Sequence, residues 1–200
     1  GLVNLISKRP QEKRVTRVDL RGAGYSGNGV SFGERPSFGV DVDSTGAVTK
    51  NERILYRALF TLENMNYFTR DTLDRNRFAN GSLLFKLDDE GRHVLTPSFQ
   101  YTRYHRPYGG GMVASATGSL SANDGLSQLD VNLFSGRRIE ETAWAGLDFR
   151  GVVSEKIRVN AAYRFVSFDT DLNSFTPVAT TAAQMNQLRT FNTIGRIQSK

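Results

Sequence analysis

The chain has 200 residues, a formal net charge of +6 and 38% hydrophobic residues. Cysteine is absent, which excludes a disulfide framework and any cysteine-based metal site. No apolar run reaches the roughly 18 residues that a transmembrane helix needs, and the basic residues are too scattered to favour nucleic-acid binding. The 13 phenylalanines and 7 tyrosines favour strands over helices.

The chain opens on "GLVNLISKRP", residues 1–10, which lies inside an apolar run and has no initiator methionine. No turn or capping residue precedes this run. We interpret the chain as a piece of a longer protein. The lack of a visible export signal therefore gives no information about the compartment.

Apolar and polar residues alternate over long stretches after residue 10. In "SFGVDVD", Phe38, Val40 and Val42 share one face, while Asp41 and Asp43 share the other. Such strict alternation predicts strands with one apolar and one polar face. The same pattern recurs in "RVTRVDLRG", "RILYRALFTLEN", "HVLTPSFQYTRY" and "KIRVNAAYRFVS".

Eight long strands are predicted from this alternation. They span residues 14–24, 37–43, 53–68, 77–87, 93–104, 138–150, 157–169 and 187–200. Most of them exceed the length of about five or six residues that is usual in globular sheets. A tilted strand that crosses a membrane needs about 9–11 residues, with apolar side chains outward. Strand length therefore favours an outer-membrane barrel over a soluble sandwich.

The predicted connections alternate in length. "STGAVTKN", "DDEG" and "GVVSEK" are short, whereas the connections at 25–36, 69–77, 105–137 and 171–186 are longer and polar or glycine-rich. This order is typical of outer-membrane barrels, where short periplasmic turns alternate with longer extracellular loops. To keep the alternation, we place the strand-like "SQLDVNLF", residues 127–134, inside the third long loop.

Three stretches of the chain resemble the TonB-dependent siderophore receptors. The opening stretch matches the closing segment of that family's plug domain at Gly1, Val3, Asn4, Ile6, Ser7, Lys8, Arg9 and Pro10. "RFANGSLLFKLDDEGRHVLTPSFQYTRYHRP" and "RRIEETAWAGLDFRGVVSEKIRVNAAYRF" are similar to two barrel hairpins of the family. The resemblance spans essentially the whole chain, with weak matches in the loops.

The resemblance implies an all-β, antiparallel segment of a plug-filled transmembrane β-barrel of about 22 strands. Residues 1–10 would be the last strand of the plug domain, and residues 11–200 the N-terminal part of the barrel. It further implies the outer membrane of a Gram-negative bacterium, contact with its lipid, a ferric siderophore as ligand, and coupling to TonB through a plug region outside this chain. No enzymatic activity, cofactor or direct iron ligand is expected, because the chelate carries the metal.

Ligand contacts are predicted where the fifth strand enters the third loop, in "QYTRYHRPYGGG". Ferric siderophores are bulky, partly aromatic and often anionic, so tyrosine and arginine suit them through stacking, hydrogen bonding and charge. We predict ligand contact for Tyr104, Arg106 and Tyr108. Tyr101 shares the apolar face of Phe99 and is expected in the aromatic girdle at the membrane interface.

The charges on the polar faces of the strands are expected to be structural. They should pair with the plug or with neighbouring strands, because a plug sits against a wet and polar wall. The alternative is that some of them line the route of the ligand. These residues are Arg17, Asp19, Arg21, Arg57, Glu63, Arg158 and Arg164. His93 follows an acidic turn and is expected at the surface.

Two other classes of protein remain open on the sequence alone. A plug-less outer-membrane channel would show the same strands, but it gives no reason for "NLISKRP" before the first of them. A soluble β-rich binding module would need convergent carboxylates or an exposed aromatic platform, and the sequence shows neither. Packing between the apolar faces of 37–43 and 157–165 would favour that module.

Overall fold

A computed structural model of the chain describes residues 8–24, 36–66, 73–107, 137–177 and 190–199, with backbone only at 107, 137, 173–177 and 190–199. Within these ranges the strands are β1 (Val15–Ala23), β2 (Ser37–Ala47), β3 (Ile54–Asn66), β4 (Leu73–Lys86), β5 (Val94–Pro107), β6 (Arg137–Ser154), β7 (Ile157–Pro177) and β8 (Thr190–Ser199). The described ranges contain no helix long and apolar enough to cross a membrane.

The eight strands form one sheet in chain order, each strand paired antiparallel with the next. The described pairings do not join β1 to β8, so the sheet is open along both of these strands. The predicted all-β antiparallel fold class is confirmed. We call the end with the β2–β3, β4–β5 and β6–β7 connections the turn end, and the opposite end the loop end.

Five of the eight strands are longer than the alternation predicted. β4 begins at Leu73 rather than at 77, because Asp74 and Asn76 continue the pairing with β3. The prediction of a long loop over 69–77 is therefore wrong, since only 67–72 separate β3 from β4. β6 likewise continues through most of the turn predicted at 151–156. The stretch 127–134 lies outside the described residues.

Cross-strand pairing joins the separate apolar stripes into one surface, which we call the apolar face. Directly paired residues lie on the same side of a sheet. Val42 pairs with both Val18 and Phe60, and Tyr163 pairs with Leu147. Many side chains of this face are exposed, among them Leu20, Phe38, Leu62, Leu83, Phe99, Ile157, Val159, Tyr163 and Phe165. β2 and β7 do not touch, so the packing that would favour a soluble module is not found among the described strands.

The border of the apolar face slants across the strands. Toward the loop end of β1, the last large apolar residue of this face is Leu20, whereas in β7 Phe165 is followed on the same face by Ser167 and Asp169. The row of paired residues through Phe165 contains Ala145, Phe99, Gly81, Ala58, Ser44 and Thr16. Thr16 precedes Leu20 by four residues, so the border shifts along the strands. The border of an apolar belt of constant height around a barrel shifts in this way from strand to strand, because the strands tilt against the barrel axis.

The buried apolar residues of the described chain lie near the turn end. Leu55 and Leu84 pair across β3 and β4 and are 3% and 8% exposed. Residues 8–14, which we call the entry segment, pass beside them before β1 begins. The Glu12 carbonyl accepts a hydrogen bond from Ala47 N at 3.2 Å, and the Glu12 carboxylate lies 2.6 Å from Lys86 Nζ. These bonds tie the entry segment to both β2 and β4.

The β4–β5 turn is held together by Asp88. Its carboxylate accepts hydrogen bonds from the backbone N–H groups of Arg92 at 2.7 Å and His93 at 3.2 Å. It also lies 2.6 Å from Nδ1 of His93, whose ring stacks against Phe149. The side-chain hydrogen bond with His93 is the largest of the interactions that lower the pKa of Asp88.

The turn should loosen in acid. A carboxylate whose pKa is lowered on folding stabilises the fold above its unfolded-state pKa of about 3.9, and this contribution is lost as pH falls through the folded pKa. We expect Asp88→Ala to speed hydrogen exchange at Arg92 and His93 already at neutral pH. Asp89→Ala is the control, because among the described residues Asp89 bonds only the Arg53 side chain. Equal protection in both variants would contradict the role of Asp88.

Candidate functional site

Tyr104 and Arg106 lie on the polar face, near the loop end of β5. Tyr104 pairs with Asn76 of β4 and with Glu140 of β6. The guanidinium carbon of Arg106 is 4.7 Å from the centre of the Tyr104 ring, within the range of a cation–π contact. The structure thus brings two of the three predicted site residues together. Tyr108 lies outside the described residues.

Polar groups of β4 lie next to this pair, and Thr170 of β7 lies two strands away in the same row. Arg106 Nε is 3.8 Å from Asp74 Oδ2, a loose ion pair that leaves the guanidinium able to bind a second anion. Asn76 Oδ1 and Thr170 Oγ1 are buried and have no hydrogen-bond partner among the described residues. Sequence reasoning missed Asp74 and Asn76 because both fell in the predicted loop 69–77.

Ion pairs link neighbouring strands along the polar face, as predicted for its charges. Arg21 contacts Asp41 at 2.7 Å and Glu63 at 3.1 Å. Arg164 makes two contacts with Asp148, at 2.9 and 3.1 Å. Pairing with neighbouring strands is thereby confirmed for these residues, whereas Arg17 pairs with Asp19 of its own strand. For Arg158, the described residues provide no ion pair.

The entry segment is bound to the polar face through Arg57 and Asp43. Arg57 donates from Nε and Nη2 to the Asp43 carboxylate at 2.9 and 2.6 Å, and from Nη1 to the Arg9 carbonyl at 3.0 Å. Lys8 Nζ reaches the same carboxylate at 3.0 Å. With side chains 11% and 19% exposed, Arg57 and Asp43 form the least exposed of the described ion pairs. The segment is therefore a bound part of this face.

Polar contacts dominate under the entry segment. Gln11 N donates to Thr45 Oγ1 at 2.9 Å, and Thr45 is only 3% exposed. The hydroxyls of Ser82 and Ser98, which pair across β4 and β5, are buried without a partner among the described residues. Both line a cavity of about 460 Å³ together with Pro10. A polar cavity of this size has room for water.

At the loop end, the polar face carries side chains able to bind a ligand. The described residues include no cluster of three or more His, Cys, Asp or Glu that could hold a metal ion. At the loop end, the Tyr104 ring and the Arg106 guanidinium lie in contact on this face. Such a set can stack on a planar group and bind an anion.

Solved structures with the same arrangement of strands are receptors for ferric chelates. The ferric-catecholate import receptor Fiu of E. coli K12 matches 96% of the chain with a TM-score of 0.70 at 12% identity. The ferric preacinetobactin receptor BauA of Acinetobacter baumannii matches 94% with a TM-score of 0.66 at 11% identity. The chain has the fold of a ferric siderophore receptor segment.

The segment is a minor part of these receptors. It spans 30% of Fiu, 26% of BauA and 26% of the ferripyoverdine receptor of the Pseudomonas aeruginosa outer membrane, which matches with a TM-score of 0.53 at 14% identity. No protein-family model and no curated protein sequence matches the chain. At these identities the likeness shows only the fold, so the function has to be argued from the residues of this chain.

Proposed function

We propose that the chain forms eight strands of an outer-membrane receptor that imports ferric siderophores with energy from TonB. The observation that carries the proposal is the entry segment. It is bound to the polar face by the least exposed described ion pair, while the opposite face is continuously apolar. A barrel with a plug needs such a bound connection, whereas an empty channel does not.

The two faces define the proposed placement in the outer membrane of a Gram-negative bacterium. The apolar face contacts lipid, and the polar face lines the barrel interior. The turn end lies in the periplasm and the loop end outside the cell, because short turns of such barrels are periplasmic. Tyr101 pairs with Ala79 and Ala143 on the apolar face, next to the charged residues of the loop end. This position suits the aromatic girdle.

The proposed ligand contacts are Tyr104, Arg106 and Tyr108. A ferric siderophore arriving from the loop end would stack on Tyr104 and place an anionic group at Arg106, beside its loose ion pair with Asp74. The chelate carries the iron, so no covalent chemistry and no cofactor are required. TonB would act from the periplasm on the plug region.

Uptake of iron tests this function. The complete reading frame is expressed in a Gram-negative strain without siderophore receptors, and the uptake of ⁵⁵Fe is measured with catecholate, hydroxamate and mixed chelates. We expect uptake of at least one chelate, and its loss when TonB is deleted. Uptake that persists without TonB indicates a plug-less channel. Protein found only in the soluble fraction indicates a binding module.

Tyr104→Ala should weaken chelate binding. Loss of stacking and of the cation–π partner of Arg106 removes roughly 1 kcal/mol or more, so we expect binding to fall about five- to tenfold. Tyr101→Ala is the matched control, because this tyrosine of the same strand lies on the apolar face. Binding of the labelled chelate to whole cells gives both constants. Equal losses in the two variants would argue against a ligand contact at Tyr104.

A further inference from the structure

The apolar face carries a groove along β3, β4 and β5 that chelate import does not use. Two shallow depressions of about 430 Å³ each follow one another along these strands. Small residues form their floor: Ala58 and Gly81 toward the turn end, and Ala79 toward the loop end. The aromatic residues that line them include Tyr56, Phe60, Phe99 and Tyr101.

The groove is open space on the surface of the sheet. A Cβ atom added at Gly81 would meet no other atom within 4 Å. The neighbouring rings of Phe60 and Phe99 are 43% and 50% exposed. An apolar chain lying over Gly81 would therefore contact both the small floor and the aromatic sides, and would cover apolar surface.

Two arginines lie at the loop end of the groove. Arg77 lines the same depression as Ala79, and Arg75 lies two residues from Arg77 on the same face. Both are exposed, and neither forms an ion pair with another described residue. Residues two apart on a strand are separated by about 7 Å, so both guanidinium groups can reach one phosphate. Arg103, which pairs across from Arg77, is held by Glu141 at 3.0 Å.

Acidic residues on β6 and β7 restrict favourable anion binding to the β4 side of the apolar face. At the level of Arg77, β6 carries Glu141 and β7 carries Asp169. Asp171 follows on the same face of β7. The loop-end edge of the apolar face is thus basic over β4 and acidic over β7. An anionic group is favoured only where the groove ends.

We propose that this groove binds a phosphorylated lipid of the outer leaflet. Its acyl chain lies over Ala79 and Gly81, and its phosphate is bound by Arg75 and Arg77. The inference rests on the membrane placement proposed above, which puts this face against lipid and the arginines at the outer side. Arginine forms bidentate, charge-assisted bonds with phosphate, so a lipid with net negative phosphate is preferred over a zwitterionic one.

Titration with lipid A tests the phosphate contact. Protein from the complete reading frame is placed in phosphatidylcholine nanodiscs, and retained lipid A is measured by native mass spectrometry. We expect Arg75→Gln/Arg77→Gln to weaken lipid A binding about 10-fold. Lys50→Gln/Lys156→Gln removes the same charge from exposed residues at the turn end and should leave binding unchanged. Equal binding by both double variants would overturn the proposal.

Filling the groove tests the acyl contact with the arginines intact. Gly81→Leu should lower lipid A affinity severalfold. Gly22→Leu is its control, since a Cβ at Gly22 also meets nothing within 4 Å and Gly22 lies on the apolar face of β1. Full competition by inorganic phosphate at the lipid's concentration would instead indicate a simple anion site and overturn the lipid assignment.

The two proposals fail in different ways. Wild-type protein that does not enter the bilayer refutes the membrane placement itself. Inserted protein that binds lipid A equally in wild type, Gly81→Leu and Arg75→Gln/Arg77→Gln refutes the lipid site alone. Chelate uptake by the arginine variant should match wild type, because both arginines lie on the face opposite Tyr104.

Discussion

Arginine in place of Phe99 is expected to prevent stable insertion into the outer membrane, whereas arginine in place of Gln100 should be tolerated. Phe99 lies within the apolar face, paired with Gly81 and Ala145, and is 50% exposed. On the lipid face of an outer-membrane barrel, arginine at the midplane costs about 2–4 kcal/mol. Half of the Phe99 surface makes no protein contact, so most of the expected cost comes from lipid.

Gln100 provides the matched control, because it is the next residue on the same strand but lies on the polar face, between Asn80 and Trp144. Both variants are folded into phosphatidylcholine vesicles, and their unfolding in urea is compared with wild type. The membrane placement predicts a loss for Phe99→Arg that is at least 2 kcal/mol larger than the loss for Gln100→Arg. A soluble module predicts the reverse order, because its half-exposed Phe99 would be the easier residue to replace by a charge.

The alternating faces could be predicted because they depend on local sequence. Phe38, Val40 and Val42 alternate with polar residues since a strand turns successive side chains to opposite sides. Their partners in β1 and β3 follow the same rule, so each segment reveals its own two faces. The order of the strands could also be predicted from the sequence, because consecutive antiparallel segments with short turns pair with one another.

The ends of the strands could not be predicted in this way. Beyond the apolar belt, both sides of a strand meet water or the barrel interior, and the period-two pattern disappears while backbone hydrogen bonds continue. The residues Asp74, Arg75 and Asn76 therefore resembled a loop, although they pair with Met65, Asn64 and Glu63. Tyr104 and Arg106 could be selected by composition, but their neighbours on β4 could not.

The slant of the apolar border and the contacts of the entry segment required the register between strands. Lys8 and Asp43 are 35 residues apart, and Arg57 and the Arg9 carbonyl are 48 apart. No local pattern indicates that such residues meet. The resemblance suggested a plug next to the first strand, but only pairing shows that Arg57 is the residue that binds the segment to the polar face.

Arg57→Met is expected to release the entry segment. Arg57 bonds both the Asp43 carboxylate and the Arg9 carbonyl, so its loss leaves a carboxylate and a carbonyl without their main donor. Breaking a fully buried ion pair costs about 3–5 kcal/mol. Because Asp43 keeps Lys8 and is 19% exposed, we expect about 2 kcal/mol here, which corresponds to a roughly 30-fold faster opening of the segment.

Hydrogen exchange at the Gln11 and Ala47 amides reports this opening directly, since both form hydrogen bonds between the segment and β2. Arg164→Met is the control. Arg164 bonds Asp148 by two contacts on the same face, but these side chains are 43% and 35% exposed, so the loss should stay below about 1 kcal/mol. Similar exchange at Gln11 in both variants would mean that other contacts hold the segment. Faster exchange in Arg57→Met alone, together with altered chelate uptake, would connect this ion pair to the movement of the plug during import.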